Sequence, residues 1–351
     1  MNLAIIAITS GGARLGTGLR ERLDGADLFV PAKHAGEAGE GAIVFSVELK
    51  ELVRQLWPDC RGFVFIMATG IVVRILAPHL RGKDLDPAVV VMDEAGAFAV
   101  SLLSGHLGGA NELARKLAEA SGGQAVITTA TDVNGLPAWD EVARREGLRI
   151  EPVKNIRRLN SLLLQGERIV LVDRRRRISR HFASVPGVVT VANFAAAQQV
   201  GAAGKVFVTH RHIPHLEAQD DLLVLRPRDL VVGIGCNRGT PAEEIEEVVE
   251  RELRRAFLSP HSIACLATID VKADEEGLNL FAKNRGIPVE HYSAEALNSV
   301  SAPAEPSPHA LAAVGAKGVC EPAALLSAGS DTLLIKKKIC GNVTVAVAEK
   351  I

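Results

Sequence analysis

The chain has 351 residues, enough for two or three domains with separate cores, and its 48% hydrophobic and 23% charged residues are an ordinary globular mixture. A formal net charge of −1 and few aromatics (one Tyr, two Trp, ten Phe) exclude the basic surfaces and stacking platforms that nucleic-acid partners need. Five scattered cysteines without a CxxC pair point to a reduced, cytoplasmic chain without structural zinc, and no apolar run approaches the roughly 18 residues of a membrane span.

In chain order, Leu3 to Ile8 reads as a buried strand. Thr9 to Gly18 reads as a glycine-rich turn, followed by a helix to about Leu23. Gly11 and Gly16 have phosphate-loop spacing, but Thr17 stands where that motif requires lysine, so a plain strand-to-helix turn is favoured over a nucleotide site. Phe63 to Met67 is the next strand, and Thr69 is placed to cap a helix carrying Ile71, Val72, Ile75 and Leu76. Ala88 to Met92 is a strand ending in Asp93-Glu94. Ala95-Gly96 then turns the chain back through Phe98-Ala99-Val100, a hairpin with acids at its tip.

Ser101 to Gly109 follows, a histidine loop containing Ser104, Gly105, His106, Gly108 and Gly109. An amphipathic helix opens directly from it, with Asn111 in its first turn and Gly122-Gly123 as its stop. Ala125 to Thr128 is a strand, Thr129 to Gly135 a polar loop holding Thr131 and Asp132, and Pro137 opens a short helix that Gly147 ends. Four βα-type units thus predict a parallel-rich sheet over residues 1–150, with ligands at the carboxyl ends of its strands. Thr69, Asp93, Glu94, His106 and Asp132 all follow predicted strands and are expected on one rim.

Residues 151–227 form a smaller mixed α/β middle segment: a helix at Ile156–Leu164 and strands at Ile169–Val172, Val188–Val191, Val206–Thr209 and Leu222–Leu225. Arg174 to Arg177 reads as a solvated loop rather than a carboxylate-binding patch. His210, His212 and His215 form HxHxxH, but no Cys, Asp or Glu inside that spacing completes a metal set, so a surface turn is favoured. Residues 228–351 form a second α/β domain. Its first strand, Asp229–Ile234, leads into the Gly235–Gly239 loop, and Thr240-Pro241-Ala242-Glu243 reads as a capping box. Gly235, Asn237 and Arg238 suit an anion cradle, and Lys272 follows the strand Ile263–Ile269. Val289–Tyr292, Thr332–Ile335 and Asn342–Ala348 are further strands, with a Pro/Ser-rich loop at Ser301–His309. The fold class is therefore two α/β domains with parallel-rich sheets joined by a mixed middle segment.

The segments MATGIVVRILAPHL, DPAVVVMDEAG, SLLSGHLGGANELA and TTATDVNGLPAWD resemble the N-terminal part of the CbiG family. VVGIGCNRGTPAEEIEE, LATIDVKADEEGL and KKKICGNVTVAVAE resemble its C-terminal part. The likeness runs in order over nearly the whole chain and is weakest from Glu151 to Pro227; Cys320-Glu321-Pro322 and Cys340 depart from the plainer residues expected there. The resemblance implies hydrolysis of cobalt-precorrin-5A: a cobalt tetrapyrrole with a carboxylate rim loses its ring-A δ-lactone and then a two-carbon fragment as acetaldehyde. It implies no resident cofactor, because the cobalt belongs to the substrate. The partner is a small molecule rather than nucleic acid or membrane, and a homodimer is compatible with it.

For that chemistry, His106 is the expected base, since an unperturbed imidazole (pKa ~6.5) shuttles protons near neutral pH. Glu94 or Asp93 would orient it or act in its place. The N–H groups of Gly108 and Gly109, with Asn111, are candidates for the oxyanion site. Thr69, Gly70, Arg74, Ser104, Gly105, Thr131, Asp132, Gly235, Asn237, Arg238 and Lys272 are candidates for substrate binding, and glycine-framed helix starts near Arg14, Arg74 and Arg238 suit carboxylates. Two other readings stay open: a carrier that binds the tetrapyrrole without converting it, and a nucleotide-dependent enzyme using the Gly11–Gly18 stretch.

Overall fold

The computed structural model describes residues 3–82, 85–300 and 308–350. The N-terminal sheet is built from β1 (Leu3–Ala7), β2 (Ala26–Pro31), β3 (Ile43–Phe45), β4 (Gly62–Ile66), β5 (Ala88–Met92), β6 (Phe98–Leu103) and β7 (Gln124–Val126), in the order β3-β2-β1-β4-β5-β6-β7. β4 (GFVFI) and β5 (AVVVM) are buried along their whole length because helices cover both faces, which is why they read as unbroken apolar runs. The helices Ser10–Arg20 and Ala110–Ser121 pack on one face, through Ala13, Leu19, Ala114 and Leu117. Leu49–Leu56 and Thr69–Leu76 pack on the other, through Leu52, Val53, Val72 and Leu76.

β2, β3 and the helix after them were not anticipated. β3 is a three-residue edge strand with Ile43 and Val44 about half exposed, too short and too open to carry a periodicity. Thr9–Gly18 is also not a loop. Thr9 is the N-cap, its hydroxyl accepting from the Gly12 N–H, and the glycines that follow lie inside the Ser10–Arg20 helix. A side chain at Gly16 would come within 2.6 Å of Leu28 Cδ1, so this glycine allows helix and strand to approach closely. The nucleotide-loop reading therefore has no loop to stand on.

The middle sheet comprises β8 (Arg149–Glu151), β9 (Ile169–Asp173), β10 (Val188–Val191), β11 (Gly204–Val208) and β12 (Leu222–Arg226), in the order β10-β9-β11-β12-β8. It is a five-stranded sheet with its own core. That core includes Trp139, Val142 and Ile150, which precede the expected boundary at 151, because the Trp139–Arg145 helix faces this sheet. The C-terminal sheet contains β13 (Leu230–Cys236), β14 (Ile263–Ile269), β15 (Val289–Tyr292), β16 (Leu333–Cys340) and β17 (Val343–Glu349), in the order β15-β14-β13-β17-β16.

Two local expectations here change. The Thr240 hydroxyl donates to the Asn237 carbonyl, and the cap position before the Ala242–Arg255 helix is Pro241, so no capping box forms. Of the Ser301–His309 stretch, residues 301–307 lie outside the described residues, and a helix begins at Pro308. Among the described residues no helix is long and apolar enough to cross a membrane.

Candidate active site

Topology decides which predicted site residues meet. β5 and β6 are antiparallel, with Met92 opposite Ala99 and Val89 opposite Leu103, while β7 runs parallel to β6. The carboxyl ends of β6 and β7 therefore lie at the sheet edge opposite those of β1, β4 and β5. The single expected rim is two rims: His106 and Asp132 share one, and Thr69, Asp93 and Glu94 share the other.

On the first rim, His106 is only 11% exposed and both ring nitrogens face carboxylates: Nε2 is 2.8 Å from Asp132 Oδ2, and Nδ1 is 3.5 Å from Asp140 Oδ1. Burial opposes the imidazolium, but the Asp140 and Asp132 carboxylates outweigh it and raise the His106 pKa to about 9. Burial likewise opposes the two aspartate charges, yet Thr129 and His106 hold Asp132, and His106 holds Asp140, below the usual range. Asp132 Oδ2 also accepts from Asn111 Nδ2 (3.0 Å) and Thr129 Oγ1 (2.5 Å), and its other oxygen meets Arg115. Thr131, itself buried, sits 3.3 Å from His106 Nε2. Neither Asp93 nor Glu94 orients the ring.

This geometry sets His106 between two carboxylates that favour its protonated form, which weighs against its use as a base with ordinary affinity for protons. One of the proposed oxyanion groups, Asn111, is closed as well. Asn111 is buried and spends its amide on Ser101, Thr129 and Asp132. The Ser104 hydroxyl donates to the Asp86 carbonyl, and a side chain at Gly108 would lie 2.5 Å from Ser104 Cβ, so the glycine loop is folded tightly on itself. His106, Asp132 and Glu141 do bring ligand atoms within 4.8 Å of one another, but the Asp132 oxygens already have organic donors.

The second rim is open. The chain leaves β1 towards β2 and β3 on one side and returns to β4 on the other, so the carboxyl ends of β1 and β4 diverge. Open α/β sheets take their ligands at such a switch point. A cleft of about 570 Å³ lies here, with Thr9 after β1, Thr69 after β4, and Asp93 and Glu94 after β5 at its polar end. Phe98, half exposed, and the partly buried Val100 form an apolar shelf beside the buried Met67 and Met92.

The two acids differ. Asp93 accepts from the N–H groups of Ala95, Ala97 and Phe98; burial opposes its charge, but these bonds hold its carboxyl below the usual range, so it shapes the hairpin. Glu94 is exposed, and its Oε2 accepts 2.7 Å from the Thr9 hydroxyl, whose lone pair takes the Gly12 N–H. Its Oε1 makes no hydrogen bond among the described residues. Thr69 is the first residue of its helix rather than the cap, which leaves its hydroxyl unbonded and the first-turn N–H groups of Thr69 and Gly70 without a capping side chain. Arg14 and Arg74 stand exposed on the two flanking helices, each held by one neutral oxygen, Ser10 Oγ and the Gly70 carbonyl.

Thr9 went unread as a functional residue because a hydroxyl at a cap position is ordinary. Asp140 went unread because nothing in the sequence ties it to His106. The C-terminal candidates gather separately: Gly235, Asn237, Arg238 and Lys272 line a cleft of about 640 Å³ with Lys337 and Asn342. There Arg238 pairs with Asp274 and Lys272 with Glu275. The three histidines do not converge. His212 and His215 are exposed, and His210 instead joins Asp229 and Glu349. Arg175 and Arg177 are not a solvated run either, since they pair with Glu349 and Asp229 of the C-terminal domain.

Family models for the cobalamin synthesis G N-terminal domain, the cobalamin biosynthesis central region and the cobalamin synthesis G C-terminus match residues 51–132, 137–227 and 230–348. A cobalt-precorrin-5A hydrolase from Priestia megaterium is 37% identical over 98% of this chain and 94% of its own length. The Salmonella typhimurium enzyme of the same name is 34% identical over 93% and 92%. Protein CobE of a Sinorhizobium species is 38% identical over 34% of this chain and 79% of its own length. With all three regions matched in order and full-length relatives above 30% identity, the chain belongs to the CbiG family.

Proposed function

We propose that this protein is a cobalt-precorrin-5A hydrolase whose chemistry takes place at the β1/β4 switch-point cleft, with Glu94 as the base. The observation that carries the assignment is the exposed Glu94 carboxylate, oriented by the Thr9 hydroxyl beside an uncapped helix start and an apolar shelf. Glu94 takes a proton from the water that attacks the lactone carbonyl. The Thr69 hydroxyl and the N–H groups of Thr69 and Gly70 meet the oxygen on which charge develops. Glu94 returns that proton to the ring oxygen as the lactone carbon–oxygen bond breaks, and the alcohol so released then gives up its proton to the restored carboxylate. Its carbon–oxygen bond becomes the carbonyl of acetaldehyde, and the electrons of the broken carbon–carbon bond pass into the macrocycle, which takes up a proton. Arg14 and Arg74 pair with substrate carboxylates, and Phe98 faces the ring.

In this reading the cobalt is cargo and no resident cofactor takes part; turnover that survives dialysis against a chelator tests that point. The decisive experiment incubates the purified chain with cobalt-precorrin-5A and follows acetaldehyde. One equivalent released per tetrapyrrole is expected. Tight binding of the tetrapyrrole with no aldehyde would identify a carrier instead.

A further inference from the structure

The middle sheet has a switch point of its own. From β9 the chain goes out to β10 on one side and returns to β11 on the other, so the strand ends at Asp173 and Val208 diverge. A cavity of about 410 Å³ lies at that divergence, closed on its far side by Leu334 and Glu349 of the C-terminal domain. Its three acids are matched within its own walls. Asp173 accepts from the backbone N–H groups of Arg177, Ile178 and Ser179. Asp229 takes Arg177 at 2.8 Å and His210 Nδ1 at 3.1 Å. Glu349 takes Arg175 at 2.9 Å, with His210 at 3.7 Å.

Two guanidinium groups are left over. Among the described residues, the Arg174 side chain, exposed, has no hydrogen bond or ion pair, and the Arg211 guanidinium, also exposed, has a single long contact of 3.4 Å to the Ala256 carbonyl. Phe194, 37% exposed, supplies an apolar surface beside them. Two arginines without acid partners of their own, in a walled cavity at a strand-end crevice, suit carboxylate and phosphate oxygens, which the guanidinium fork binds through two parallel hydrogen bonds.

We propose that this cleft between the middle and C-terminal domains binds a dianion with carboxylate or phosphate oxygens, held by Arg174 and Arg211. The chemistry fits either a pair of carboxylate arms of a tetrapyrrole or a small free dianion. The proposal does not depend on the reaction assigned to the N-terminal cleft.

Calorimetric titration of the full chain with succinate and with inorganic phosphate, and fluorescence titration with the octacarboxylate uroporphyrin III, test it. Each is compared among wild type, Arg174→Gln/Arg211→Gln, and Arg54→Gln/Arg61→Gln, a pair of exposed arginines outside both clefts, with thermal melts checking that the variants fold. Saturable binding that Arg174→Gln/Arg211→Gln weakens tenfold or more, and that Arg54→Gln/Arg61→Gln leaves unchanged, is expected. Loss of uroporphyrin binding identifies the tetrapyrrole arms as the ligand, and loss confined to succinate or phosphate identifies a free dianion. Absence of saturable binding by all three probes, or equal binding in the Arg174→Gln/Arg211→Gln protein, overturns the proposal.

Discussion

The two edges of the N-terminal sheet carry similar residue types in opposite conditions. At the His106 edge, a histidine, two aspartates, an asparagine and two threonines are turned inward, and the carboxylates are met by donors on several sides. At the Glu94 edge a carboxylate, two threonines and a helix start face a cleft, and one carboxylate oxygen and one hydroxyl remain unbonded. A polar network with every bond satisfied internally stiffens a fold, because removing one member strands the others. An exposed set with unspent bonding capacity can meet a substrate. The comparison supports the proposed division, with structure at the histidine loop and chemistry at the hairpin tip.

The sharpest attempt to break this contrast is Glu94→Gln. The amide cannot take a proton, so acetaldehyde release should fall by about 10²- to 10⁴-fold, with the unfolding midpoint unchanged because Glu94 is exposed. Full activity in this variant would remove Glu94 from the mechanism. His106→Ala should do the reverse. Leaving Asp132 and Asp140 without their shared cation should cost about 3 kcal/mol in urea unfolding, whereas turnover per folded molecule in the cold stays within a few-fold. A folded His106→Ala protein with abolished turnover would return catalysis to the histidine edge.

The same network gives a pH signature of similar or smaller size. The His106 pKa is raised to about 9 in the folded chain, so its stabilisation is complete below the unfolded value of ~6.5 and is lost as pH rises through about 9. The unfolding free energy of the wild type in urea should fall over that window by no more than about 3 kcal/mol relative to His106→Ala. Parallel pH profiles of the two proteins would contradict the buried imidazolium. The smallest effect belongs to Thr9→Val, which keeps the helix but removes the donor to Glu94 Oε2. A drop in kcat of about tenfold with KM little changed is expected, less than that of Glu94→Gln; an equal drop would mean that Thr9 touches the reacting atoms itself.

Much of the fold was legible because burial on both faces leaves a strong mark: GFVFI and AVVVM could only be interior strands. Ile43–Phe45 left no such mark, since a three-residue edge strand buries little. The glycines from 11 to 18 misled because a glycine that lets a helix approach a strand looks the same in sequence as one that opens a loop. In the site, Glu94, Asp93 and Thr69 were found as residues following strands. Their partners were not found, since Thr9 and Glu94 are 85 positions apart and meet only through the pairing of β1, β4 and β5.

By itself the sequence determined three α/β regions, the identity of their interior strands, the family and the small set of polar residues worth asking about. These follow from local periodicity and motif, which travel with the chain. What only the tertiary structure decided is which of those residues share a surface. One antiparallel strand, β6, reverses the direction of the chain and carries His106 to the far edge of the sheet from Glu94. The hairpin at Ala95-Gly96 was legible, but the parallel pairing of β7 with β6 and the meeting of Asp132 and Asp140 with His106 rest on long-range contacts, so only the tertiary structure separated the buried ion network from the open cleft.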